Sequence, residues 1–119
     1  MPLAAQVVLA LVALLHVYFF LLESVLWGQP RTNKTFGIDA ATAATNATLA
    51  KNQGVYNLFL SAGLLWAIVH PQAEFARQLG LFFCGCVVVA GLVGGLTVNK
   101  RILFIQAMPA AVGITLLLT

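Results

Sequence analysis

From Gln78 to Val98 the chain carries no charged side chain, and most of the stretch is aliphatic, aromatic or glycine. A helix needs about 20 such residues to cross roughly 30 Å of hydrocarbon, so the run is long enough to span a bilayer. A second long run, Leu3 to Trp27, is interrupted only by Gln6, His16, Glu23 and Ser24. Two further runs sit near the lower limit of about 17 residues. They are Gly54 to Val69, broken by Asn57 and Ser61, and Ile102 to Leu118, with Gln106 as its one strong polar group. A short span can thin the bilayer or lean on interfacial aromatics, and Tyr56 and Trp66 suit that role. The pattern predicts an all-α polytopic membrane protein. Its fold would be a four-transmembrane-helix bundle in a single membrane domain (1–119), with helices at about 3–27, 54–69, 78–98 and 102–118.

Composition points the same way. Only 8% of residues are charged and 61% are hydrophobic, whereas soluble domains draw about a quarter from the charged set. This excludes a disordered chain and a disulfide-stapled secreted module. The six basic residues are spread over loops, without the basic groove that phosphate tracking along a nucleic acid requires. Cys84 and Cys86 lie two apart, so on a helix they point to different sides and read as buried thiols, not as a disulfide or metal pair. No metal or cofactor is predicted. The first run is too long for a signal peptide and no Lys or Arg precedes it, so it is expected to stay in the mature protein.

With four spans, residues 28–53 and 99–101 lie on one side of the membrane. They hold Arg31, Lys34, Lys51, Lys100 and Arg101, five of the six basic residues. Positive charge stays cytoplasmic, so both termini are expected outside a bacterial plasma membrane. The sequons at Asn33 and Asn46 then fall inside and read as chance matches. Within the first loop, Asp39 stands as an N-cap ahead of Ala- and Thr-rich sequence, which predicts a short helix at about 39–51.

Polar groups are expensive in hydrocarbon, so those within spans mark candidate sites. His16 and Glu23 are seven apart on one stripe, and Gln53, Asn57 and Ser61 repeat every four residues. Measured from Gln53, Asn57 and Ser61 lie roughly 6 and 12 Å deep; measured from Trp27, Glu23 and His16 lie roughly 6 and 16 Å deep. Thr97 and Gln106 also fall in the inner third of their spans. The ligand-binding cluster predicted from depth and spacing is His16, Glu23, Gln53, Asn57, Ser61, Thr97 and Gln106. The plainer readings stand beside it: a packed histidine, a glutamate that snorkels or pairs with Lys51 or Arg101, and amides that only join helices. Gly80, Cys84, Val87, Gly91, Gly94 and Val98 form a heptad seam of mostly small residues. That seam would admit a neighbouring helix, within the bundle or, through Gly80, Gly91 and Gly94, in a homo-dimer or higher oligomer. Pro109 cannot donate to the carbonyl of Ile105.

Several stretches together resemble the DUF1304 family of small bacterial membrane proteins, which has no assigned function. They are His16 with Phe19 and Glu23, Phe36-Gly37, Asn52-Gln53-Gly54-Val55-Tyr56-Asn57, and Phe59-Leu60-Ser61-Ala62-Gly63-Leu64. Cys86, Ala90-Gly91, Gly94, Thr97, Gln106 and Pro109-Ala110 complete the likeness. Leu58 departs from the pattern, where a small residue is expected. The resemblance implies a four-helix integral membrane protein, adds Asn52 and Tyr56 to the predicted ligand-binding cluster, and supplies no substrate. Three functions remain open, in descending order. The first is binding or transport of a small molecule or ion, by analogy of size with small multidrug exporters, whose own sequence pattern is absent. The second is an accessory or assembly subunit without chemistry. The third is a membrane enzyme acting on a lipid-like substrate with His16 and Glu23 as acid and base.

Overall fold

Polar residues ahead of the second and third apolar runs turn out to be helical, so those two helices are longer than the runs. A computed structural model describes residues 1–119, which are all-α with no strand. In chain order the helices are α1 (Leu3–Phe20), α2 (Pro30–Phe36), α3 (Ala40–Thr45), α4 (Ala47–Val69), α5 (Ala73–Thr97) and α6 (Met108–Leu118). A π-helical turn, Leu21–Val25, continues α1, and a second, Leu103–Ala107, leads into α6.

Three boundaries differ from expectation. The fourth helix starts at Ala47, not near residue 54, because Lys51, Asn52 and Gln53 are good to fair helix formers once hydropathy is set aside. The expected 39–51 helix is split at Asn46, whose N–H bonds back to Thr42 O while its own carbonyl accepts from Ala50 N. And α5 starts at Ala73 behind Gln72, with Glu74 in its first turn, where the helix dipole favours an acid. The unforeseen helix α2 has Pro30 in its first turn and ends on Gly37 in the left-handed region (φ 67°). There Ile38 N–H closes the end on Asn33 O at 3.0 Å.

Two helices are long and apolar enough to cross a membrane, Leu3–Val25 and Ala73–Thr97; Leu103–Leu118 is apolar but shorter. Every long helix leaves large apolar side chains exposed, among them Leu14, Leu65, Val69, Phe82, Leu96 and Phe104.

The chain divides into two compact units. One comprises Met1–Leu14 and Leu60–Thr119. Its core is Leu9, Val12 and Ala13 of α1, Leu64 and Ala67 of α4, Cys84 and Val87 of α5, and Ala110 and Leu117 of α6. Gly91 allows α5 to meet the second π turn: a Cβ there would stand 2.6 Å from Ala107 N. Gly80 abuts Leu117 and Leu9, and Gly94 abuts Ile102. Of the two neighbours expected for the seam, a helix of the same chain meets it at these three glycines. The seam also ends at buried Gly95, not along Gly94 and Val98, because a straight helix drifts from a strict heptad. Pro109 explains the second π turn. It has no N–H for Ile105 O, and Met108 N–H bonds five residues back, to Leu103 O.

The other unit is Leu15–Phe59. It contains the end of α1, the first π turn, α2, α3 and the first half of α4. Trp27 Nε1 donates to Ala43 O at 2.8 Å, and its ring lies 5.1 Å from that of Phe36. These contacts fasten α2 and α3 to the end of the first long helix.

Candidate functional site

Glu23 stands in the first π turn, where Leu26 N–H bonds five residues back to Leu21 O at 2.8 Å. Such turns arise within α-helices and recur at functional sites. The side chain is buried, 8% exposed, and Asn57 Nδ2 donates to its Oε1 at 2.6 Å. Next to it, Ser24 Oγ donates to Lys51 O at 2.7 Å. Gly54 makes this approach feasible, since a Cβ on it would overlap Ser24 Oγ. Lys51, Gly54 and Asn57 repeat every three residues and so present one strip of α4 to the turn. The only ion pair in the chain joins Arg77 to Glu74 at 3.5 Å. Glu23 is therefore a buried acid held by a neutral amide, with no cationic partner. Chemically it can accept a proton or a small cation.

His16 is fully buried, with its ring edge-on to Phe19 at 5.4 Å. Both His16 and Gln106 are engaged within the chain. Gln106 is half-buried in the second π turn, so each π turn carries one of the polar residues singled out from sequence. Ser61, also buried, donates to Ala13 O at 2.7 Å and joins α4 to α1 in the first unit.

The remaining residues of the expected cluster do not join a buried site. Asn52 and Gln53 are exposed, and Tyr56, 59% exposed, packs edge-on to Phe59. Thr97 is exposed and bonds its own helix at Val93 O, 2.6 Å away. The helical repeat is the reason: Tyr56 and Asn52 lie about 100° and 140° around α4 from Asn57. Equal depth along neighbouring helices does not give equal facing. Ser24 and Gly54 were the participants that spacing missed. The serine next to the glutamate near the end of the first apolar run is the available signal.

The sequence matches the family described as "Protein of unknown function (DUF1304)" over residues 10–118. It is also similar to the uncharacterized protein YpaA of Lactococcus lactis subsp. lactis (strain IL1403), with 34% identity over 100 residues, 81% of either chain. No solved structure matches.

Proposed function

The chain belongs to the DUF1304 family, for which no function is assigned, and we propose that it is a multi-pass membrane protein binding or moving a proton or small cation at Glu23. In this reading α1, α4, α5 and the Leu103–Leu118 segment all cross the bilayer. Two of them meet the length and apolarity requirement, and the exposed apolar side chains on all four support it. The 23 residues of α4 reach about 35 Å, enough to span with its polar first turns at the interface. The last segment reaches only about 24 Å, which local thinning of the bilayer can accommodate. The charge distribution favours both termini outside, with Arg31, Lys34, Lys51, Lys100 and Arg101 cytoplasmic. A reporter fused to the C-terminus is expected to read as periplasmic; a cytoplasmic reading overturns the topology.

The observation that carries the functional reading is Glu23: buried near the end of a span, bonded by Asn57, and unpaired by any cation. Ionisable groups inside membranes are rare, and those that occur mark ion and proton pathways. The test uses protein reconstituted in vesicles, with pyranine reporting proton entry under a potassium diffusion potential and uptake of radioactive sodium reporting a small cation. Glu23→Gln keeps an acceptor for Asn57 and removes the charge. The parent should exceed this variant in at least one assay. Equal signals from both would leave the accessory-subunit reading, which the wholly internal bonds of Ser24 and Ser61 favour. The enzyme reading gains no support, because fully buried His16 has no surface on which to meet a substrate.

A further inference from the structure

A cavity of about 570 Å³ opens in the Leu15–Phe59 unit, and its lining divides by chemistry. Tyr18, Leu22 and Leu26 come from the end of α1 and the residues after it, each four positions from the last. They form an apolar strip about 12 Å long. Arg31, Thr32 and Lys34 come from α2. No acidic side chain lines the space, and neither cation is engaged in the chain's one ion pair. Arg31 and Lys34 are three apart, hence neighbours on the helix surface. Thr32, only 2% exposed, also lines the space.

We infer that this cavity holds an anionic phospholipid, its phosphate on Arg31 and Lys34 and an acyl chain along Tyr18, Leu22 and Leu26. Uncompensated Arg and Lys beside a hydroxyl suit phosphate oxygens. Inorganic phosphate would be served by the cations alone and would leave the apolar strip unused, whereas a lipid uses both parts. The frame is also preformed. Pro30 and Gly37 delimit α2, and Phe36 on Trp27 pins it to the end of the first span. A ligand arriving there meets groups already in place. The inference rests on the membrane reading above, which puts α2 at headgroup level on the cytoplasmic side, but not on Glu23.

The test is native mass spectrometry of the full chain in detergent, titrated with phosphatidylglycerol, with zwitterionic phosphatidylcholine, and with inorganic phosphate as competitor. Arg31 and Lys34 are exposed, so Arg31→Gln with Lys34→Gln spares the core. Phosphatidylglycerol affinity should fall about fivefold for each cation removed. Lys100→Gln with Arg101→Gln removes the same charge elsewhere and should retain the lipid. The parent should prefer phosphatidylglycerol to phosphatidylcholine and keep it in millimolar phosphate. Unchanged affinity in the first double variant, equal loss in both, or displacement by inorganic phosphate each overturns the assignment. Extraction of the parent membranes with carbonate separates the two failures. A chain that is released refutes the membrane reading together with the lipid site; one retained while lipid binding ignores Arg31 and Lys34 refutes the lipid site alone.

Discussion

The two units of this chain are held together by different physics. In Met1–Leu14 with Leu60–Thr119, helices approach through small residues and bury Leu9, Leu64, Val87 and Leu117. In Leu15–Phe59, few large apolar side chains are buried, and the connections are hydrogen bonds from Ser24, Trp27 and Asn57. On the proposed membrane reading, apolar surface gains little by meeting other apolar surface in hydrocarbon, so shape complementarity must hold the first unit. The second unit joins irregular turns and short helices whose backbone carbonyls need donors, so side chains supply them. Packing makes one unit sensitive to volume; bonding makes the other sensitive to polarity.

The largest effect expected from breaking this contrast is at Gly91. A side chain there meets the backbone of Ala107, which cannot rotate away as a flexible side chain can. Gly91→Leu should destabilise the protein by about 3 kcal/mol, the upper end of ordinary overpacking costs. Thermal unfolding in detergent measures it. A midpoint equal to the parent's would mean that the first unit is not held by close approach.

Next comes the Glu23–Asn57 bond. Asn57→Leu removes the only donor to a buried carboxyl, at a cost of about 2 kcal/mol. Replacing both partners, with Glu23→Leu added, should recover most of that loss, because no polar group is then left unpaired. A double-mutant cycle reads the coupling. If the double variant loses as much stability as the two single variants summed, the bond contributes no coupling.

Much of the first unit could be read from the sequence, and much of the second could not. Small residues at steps of three and four identify the packed face of α5 because volume and period determine close approach. Gln106 and Glu23 were conspicuous for being polar among aliphatics. The π turns that hold them were not, except where Pro109 withdraws a donor. Helix α2 escaped notice because Arg-Thr-Asn-Lys-Thr is a weak helix former. Its signals were Pro30 at the start and Gly37 at the end. Depth alone brings Thr97 into the expected cluster, and depth carries no information about azimuth around the helix; Gln53 enters by the four-residue repeat it shares with Asn57, and Asn52 and Tyr56 by the family resemblance.

A smaller pair of variants sharpens the comparison by making the same chemical change in each unit. Ser61→Ala deletes the bond to Ala13 O, and Ser24→Ala deletes that to Lys51 O. Bonds of this kind inside membranes average about 0.6 kcal/mol. Ser61 has the apolar core to fall back on and should stay at or below that figure. Ser24 belongs to the unit that depends on such bonds and should exceed it. Chemical unfolding in mixed micelles ranks the two, and the reverse order would contradict the division of labour.

The smallest effect is a pH dependence confined to α3. Asp39 caps that helix: Thr42 N–H donates to Oδ1 at 2.7 Å. Hydrogen bonding from the Thr42 side chain, and then from its backbone N–H, holds the Asp39 carboxyl below the ordinary aspartate range. A carboxyl whose pKa is lower folded than unfolded binds fewer protons in the native state. Its contribution is complete above the unfolded value of about 3.9 and is lost as pH falls through the lower folded one. Asp39 is fully exposed to solvent, so salt should weaken the effect further. Asn caps helices about as well as Asp but does not titrate over this range. Asp39→Asn should therefore match the parent at neutral pH and lose less of its α3 amide protection below about pH 4, measured by hydrogen exchange. An identical pH response in the two proteins would show that the acid sensitivity of this unit arises elsewhere, with Glu23 as the remaining carboxyl between Leu15 and Phe59.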